Sequence, residues 1–141
     1  LILNSIYNQK ITILNKLKKT DGTTGLDTWH KTVITDAAWY SQTERTATVS
    51  SVYIGSYIKV LIPFHDAYLD YSDWKQVGMQ DANYTMSVGD YIVLGTVSED
   101  ITASNVIATT AKYEPNVCLV KTFQPLHNRF DAYVQLEIEG V

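Results

Sequence analysis

Apolar residues fall on alternate positions in several separate stretches of this chain, and that two-residue rhythm constrains the fold more than any other feature. In 57–64, Ile58, Val60, Ile62 and Phe64 share one face. Near the end, Val134, Leu136 and Ile138 alternate with Gln135, Glu137 and Glu139. Successive side chains of a strand point to opposite faces, so a sheet with one buried side suits this pattern. Composition points the same way: Thr, Val, Ile, Tyr, Phe and Trp supply 57 of 141 residues, and these types pack well on a pleated surface. Only five Glu and nine Ala leave little helix-building stock. At 15.9 kDa the chain has room for one core. The expected fold is all-β: one domain over 1–141, a small β-barrel or sandwich with long loops and one or two short helices.

Along the chain, a lead-in is followed by a strand over 10–14, and Thr20–Gly25 is dense in turn formers. We expect 15–27 to form an exposed, basic, turn-rich loop. Strand-like sequence returns at 28–34 and continues through 37–40. The runs 46–54 and 57–64 are separated by Gly55 and Ser56, the length of a tight hairpin turn. Pro63 ends the second run or places it on an edge, because it donates no ladder hydrogen bond. The segment 65–84 reads as a long excursion in which Ser72 or Asp73 caps a short helix carrying Trp74 and Val77. A turn at Gly89 and Asp90 leads into the strand Tyr91-Ile-Val-Leu94. A helix starting from Thr102 or Ser104 is expected before Pro115. The runs 117–123 and 133–139 make a closing hairpin, with 124–131 as its loop.

Several function classes are disfavoured. Net charge is −4, opposite to that of a free-standing duplex-DNA reader. Val60–Phe64, the longest apolar run, falls far short of the roughly 20 residues that cross a bilayer. A lone cysteine, Cys118, permits neither an intrachain disulfide nor a multi-Cys zinc site. It lies in an apolar strand, where a small buried thiol is the ordinary reading. No Gly-x-Ser-x-Gly elbow and no Gly-rich phosphate loop occurs. His30, His65 and His127 are scattered without ligand-like spacing. The nearest cluster, His65, Asp66, Asp70, Asp73 and Asp81, lacks the order of a calcium loop and reads as a solvated loop with capping carboxylates. No catalytic residue, metal site or cofactor is therefore expected.

Two features remain as candidate surfaces. Residues 1–31 sum to +3 and residues 32–141 to −7, so Lys16, Lys18 and Lys19 could form a positive tip that meets DNA or an acidic partner. Ten Tyr and three Trp are many for one small core. Tyr68, Tyr71 and Trp74 are the candidate subunit or partner contact, since aromatics with a polar handle suit interfaces.

The order of short motifs carries one resemblance. Lys10-Ile-Thr-Ile-Leu-Asn-Lys16, Trp29-His-Lys-Thr-Val-Ile34 with Trp39 following, Val60-Leu-Ile-Pro-Phe64 and Val88-Gly-Asp-Tyr-Ile-Val-Leu-Gly95 together resemble a family of small tailed-phage structural proteins of the head–tail connector type. The resemblance implies a virion subunit at the head–tail junction, assembled in the bacterial cytoplasm as a ring of about six or twelve copies. The implied partners are its own copies, portal or adaptor proteins and tail proteins, with packaged DNA touched transiently by the Lys16–Gly25 loop and no membrane involved. A tail terminator or minor capsid or tail protein would have similar size and composition, and a binding module outside the virion is the further alternative. The resemblance carries over no catalytic residue.

Overall fold

The computed structural model describes residues 7–22, 25–47, 52–63, 65–77, 80–127 and 134–140. Six antiparallel strands make the framework: β1 (Gln9–Leu17), β2 (Thr28–Ala47), β3 (Val52–Pro63), β4 (Tyr91–Leu94), β5 (Val117–His127) and β6 (Val134–Gly140). They close in the order β1-β2-β3-β6-β5-β4, with β4 returning to β1. Helix α1 (Tyr71–Trp74) and a 3-10 turn at Gln80–Ala82 interrupt the β3–β4 connection, and α2 (Val106–Ala111) interrupts the β4–β5 connection. The expected small all-β barrel with long loops and two short helices is the fold.

The alternation in β1 organises two cores. Ile11 and Ile13 join Ile34, Ile58, Val60, Ile62, Ile92, Cys118 and Val120 in the main core. The alternate residues Thr12 and Leu14 face the other side, yet both are fully buried. Leu14 and Val93 pack with Val97, Ile101 and Val106 of the β4–β5 connection in a second cluster. Thr12 Oγ1 donates to Gly95 O at 2.8 Å and accepts from Val97 N at 3.1 Å. This connection is also held to β2, since Lys31 Nζ donates to Glu99 O at 2.8 Å. Gly95 takes φ +102 at its start, a conformation that costs glycine little.

The β3–β4 connection closes one end of the barrel. Trp74, Tyr84 and Met86 are buried, with Tyr84 and Met86 in the main core. Trp74 meets His30 of β2 edge-on at 5.6 Å and donates Nε1 to Asn83 O at 3.2 Å. A buried polar knot fixes the return to β4. Asn15 Nδ2 donates to Thr85 O and to Asp90 Oδ2, both at 2.8 Å, and Asn15 Oδ1 accepts from Thr85 N at 3.1 Å. Asp90 accepts also from the amides of Lys16 (3.1 Å) and Ser87 (3.0 Å). Burial pushes the Asp90 carboxyl up to about 6, against the pull of these donors and of the Lys16 charge.

Several local expectations change. Gly55 and Ser56 are not a turn: they sit within β3, opposite Glu44 and Thr43. Ten consecutive rungs between Ala38–Ala47 and Val52–Leu61 outweigh a two-residue turn that would split this ladder. The loop expected over 15–27 is shorter, because Asn15, Lys16 and Leu17 are the last residues of β1. Residue 70, not Ser72 or Asp73, precedes α1, with no side-chain cap. Asn105, not Thr102 or Ser104, precedes α2, and its side chain instead accepts from Thr102 N at 2.8 Å. β5 extends through Gln124–His127, into the expected 124–131 loop. The inward facing of Val134, Leu136 and Ile138, the face of Phe64 and the lead-in over 1–6 lie outside the described residues and side chains.

The knot can be tested at each of its three residues. Asn15→Ala leaves Thr85 and Asp90 short of partners in a dry site and should cost about 3 kcal/mol in urea unfolding. Asp90 has a folded pKa raised above its unfolded value, so its contribution is fully present below the unfolded pKa and is lost as pH rises through about 6. The stability advantage of the wild type over Asp90→Asn should therefore shrink as pH rises from 4 to 6; an advantage that grows over that range would contradict the assignment. The buried Thr85 Oγ1 finds no hydrogen-bond partner among the described residues, so Thr85→Val should be neutral or stabilising by about 1 kcal/mol.

Candidate functional site

The sequence candidates converge on one end of the barrel, where β1 ends and β2 begins. Lys16 and Trp29 are cross-strand partners, and Lys16 Nζ lies 5.9 Å from the Trp29 ring centroid. Trp29 also packs at 5.7 Å on Tyr91 of β4. Lys18 and Lys75 both stand over Tyr71, at 5.4 and 5.9 Å, so two of the three candidate lysines lie over rings. Cations held over aromatic faces keep their charge outward while their stems cover apolar surface. Lys19 is exposed, and its amide donates to Asp27 Oδ1 at 2.9 Å.

Tyr71 is the hub of this end. Its hydroxyl donates to Asp21 Oδ2 at 2.8 Å and accepts from Lys18 N at 3.2 Å, while Lys75 Nζ lies 3.6 Å from Asp21 Oδ1. The phenol is pushed up to about 12, by burial first and by the Asp21 carboxylate after it. The Tyr71 hydrogen bond in turn holds Asp21 below the usual carboxylate range. The tip is thus less positive than the lysines alone suggested, because Asp21 and Asp27 are folded back among them.

Beside Trp29 an open cleft of about 650 Å³ separates Leu26–Trp29 from Ile101–Ser104. An antiparallel bridge between Thr28 and Thr102 ties its two walls. Leu26 is 65 % exposed at its rim, and Val88 is 64 % exposed on the turn that precedes β4. Gly89, with φ +99, makes that turn and lies close to Lys16 Nζ.

The three aromatic candidates separate. Tyr71 is at the tip. Tyr68 is half-buried, with its ring 5.7 Å from Tyr84 and its hydroxyl pushed up to about 12 by burial and by Asp70. Trp74 has no exposed surface and is a core residue of the barrel end, so it presents nothing to a partner in this fold. Aromatic character in the sequence did not distinguish a plug from a contact.

Sequence reading missed the role of His65. Its Nε2 lies 2.9 and 3.0 Å from the two Asp36 oxygens, and its Nδ1 lies 2.8 Å from the Tyr84 hydroxyl. A carboxylate only accepts, so in neutral His65 the Nε2–H donates to Asp36 and Nδ1 accepts from Tyr84. Burial and the Asp36 charge push the Tyr84 phenol upward. Both ring nitrogens are engaged, so the chain Asp36–His65–Tyr84 ties β2 to the start and end of the excursion. Asp36, a lone carboxylate within a strand, was the available signal. Among the described residues no group of three His, Cys, Asp or Glu could hold a metal ion. Cys118 is buried and its thiol is pushed up to about 12 by burial, which disfavours the reactive thiolate.

Tyr71→Phe tests the hub. A lowered folded pKa contributes stability above the unfolded value and loses it as pH falls. In this variant the Asp21 carboxyl should titrate at higher pH by NMR, with the barrel still folded; an unchanged Asp21 titration would remove Tyr71 from the role.

No curated protein and no solved structure matches the chain. One family match spans residues 6–141. By that match, the chain belongs to DUF6751, a family of unknown function.

Proposed function

We propose that this protein is a non-enzymatic structural subunit of a tailed-bacteriophage particle, a head–tail connector that joins copies of itself in a ring between portal and tail. The observation that carries the reading is the barrel end just described. Lys16, Lys18 and Lys75 stand over Trp29 and Tyr71 beside an open cleft rimmed by exposed Leu26. Aromatic rings, exposed apolar groups and cations on a rigid rim suit coverage by another protein subunit. The barrel interior is filled by side chains and the excursion, so contact chemistry belongs to the outside of the barrel. The order of sequence motifs supplies the phage context.

Within this reading, the tip docks on a neighbouring component and the exposed Lys19 faces the packaged DNA. Lys16, Lys18 and Lys19 together act against Asp21 and Asp27, so the DNA contact is weak and salt-sensitive.

Purified particles, separated into heads, necks and tails and probed with an antibody to this chain, test the assignment. Label confined to the neck is expected. Label along the tail tube would replace the connector with a tail protein, and label absent from particles would replace it with a binding module outside the virion. Replacing Lys16, Lys18 and Lys19 together with Gln should leave barrel stability within about 1 kcal/mol of wild type while reducing DNA retention in assembled particles. Normal retention and ejection would remove the DNA contact.

A further inference from the structure

The cleft beside Trp29 has walls that are held in place by the fold itself. The Thr28–Thr102 bridge joins them. Asn105 Oδ1 accepts from Thr102 N at 2.8 Å, and Asn105 Nδ2 donates to Asp100 O at 3.0 Å. Ile101 is anchored in the packing over Leu14 and Val93. The cleft volume of about 650 Å³ lies within the roughly 300–1,000 Å³ usual for preformed binding sites. Leu26, Trp29, Ile101 and Ala103 make its lining largely apolar. Leu26 and Ala103 are exposed, and Ile107, in the first turn of the helix that follows this wall, is 76 % exposed.

The charges around this lining differ in how they are paired. Asp27, a wall residue, accepts from Lys19 N at 2.9 Å, and Asp100, next in sequence to Ile101, lies 3.9 Å from Lys31 Nζ. Asp90 meets Lys16 through the main chain and is buried in the knot. The Lys16 ammonium, in contrast, forms no ion pair among the described residues and stands over the Trp29 ring. A cation fixed at the edge of an apolar cleft complements a carboxylate carried next to an apolar group. A nucleic acid would offer phosphates to Lys16 but nothing for Leu26, Ile101 and Ala103 to cover.

We propose that the cleft is a socket for a bulky apolar side chain on an acidic segment of a protein partner. The side chain enters between Leu26–Trp29 and Ile101–Ser104, and a flanking Asp or Glu of the partner meets Lys16. Burial of the anchor supplies affinity, while the charge fixes which segments are accepted. The inference deepens the docking reading of the barrel end and rests on it, but it does not depend on the phage context.

Selection of a displayed random peptide library on the immobilised full chain tests the socket, with the recovered peptides then titrated against the isotope-labelled chain by NMR. Recovered peptides should carry an apolar residue flanked by Asp or Glu and should shift the amides of Leu26–Trp29 and Ile101–Ser104. Ala103→Trp fills the cleft from an exposed position and should weaken binding about tenfold while the melting temperature changes by less than about 3 °C. Leu26→Ser, also at an exposed position, supplies the same readout if that variant does not fold. Lys16→Gln should weaken binding about threefold, and less at high salt. No peptide enriched over the Ala103→Trp control, or recovered peptides with basic flanks, would overturn the proposal. So would wall amides that respond equally to a DNA duplex, or that shift with protein concentration alone, which would make a second copy the occupant. Acidic peptides that bind a chain absent from particle necks would leave the socket standing and remove the connector; a chain found in necks that binds no peptide would do the reverse.

Discussion

The contact on which the rest of this structure depends is the hydrogen-bonded knot of Asn15, Thr85 and Asp90. β1 reaches the end of the barrel at Asn15, and the long connection from β3 must return there to start β4. One amide side chain meets both main-chain groups of Thr85 and a carboxylate oxygen of Asp90. Asp90 then gathers the amides of Lys16 and Ser87, while its own main chain accepts from Val120 N at 2.8 Å. Three segments far apart in sequence therefore share one site. In a dry interior such groups are costly when unpaired and specific when paired, so the knot fixes where β4 starts, and hence how the barrel closes.

The same principle recurs on the flank of the excursion. Asp36, His65 and Tyr84 are hydrogen-bonded in series, and the parallel bridge of Tyr68 with Tyr84 holds the excursion's two limbs together. The Tyr84 phenol is buried in the main core, so this chain of contacts anchors β2 to the excursion.

The strand rhythm was legible in the sequence wherever one face is apolar: Ile58, Val60 and Ile62 are buried as their spacing required. It misled at Gly55–Ser56, because turn chemistry is a local signal and the ten-rung ladder is not. β1 was only partly legible for a different reason. Both its faces are buried, so Ile11-Thr-Ile-Leu14 shows little contrast between inside and outside. At the candidate site the lysines were readable by charge, but the posture of Lys18 over Tyr71 was not, since Tyr71 arrives from a segment more than fifty residues away. Trp74 shows the reverse limit: an aromatic in a polar stretch looks like a surface anchor until the barrel end it fills is known.

The shortness of β4 has a mechanical meaning. It meets β5 through three rungs, Tyr91–Leu119 to Val93–Val117, the briefest seam in the barrel wall. Outside this seam lies the second apolar cluster, where Val97, Ile101 and Val106 cover Leu14 and Val93. The β4–β5 connection is thus a buckle, tightening from outside a wall that its own backbone ladder closes weakly. With so few rungs of its own, the seam relies on this outer cover more than the longer ladders of the wall do on theirs.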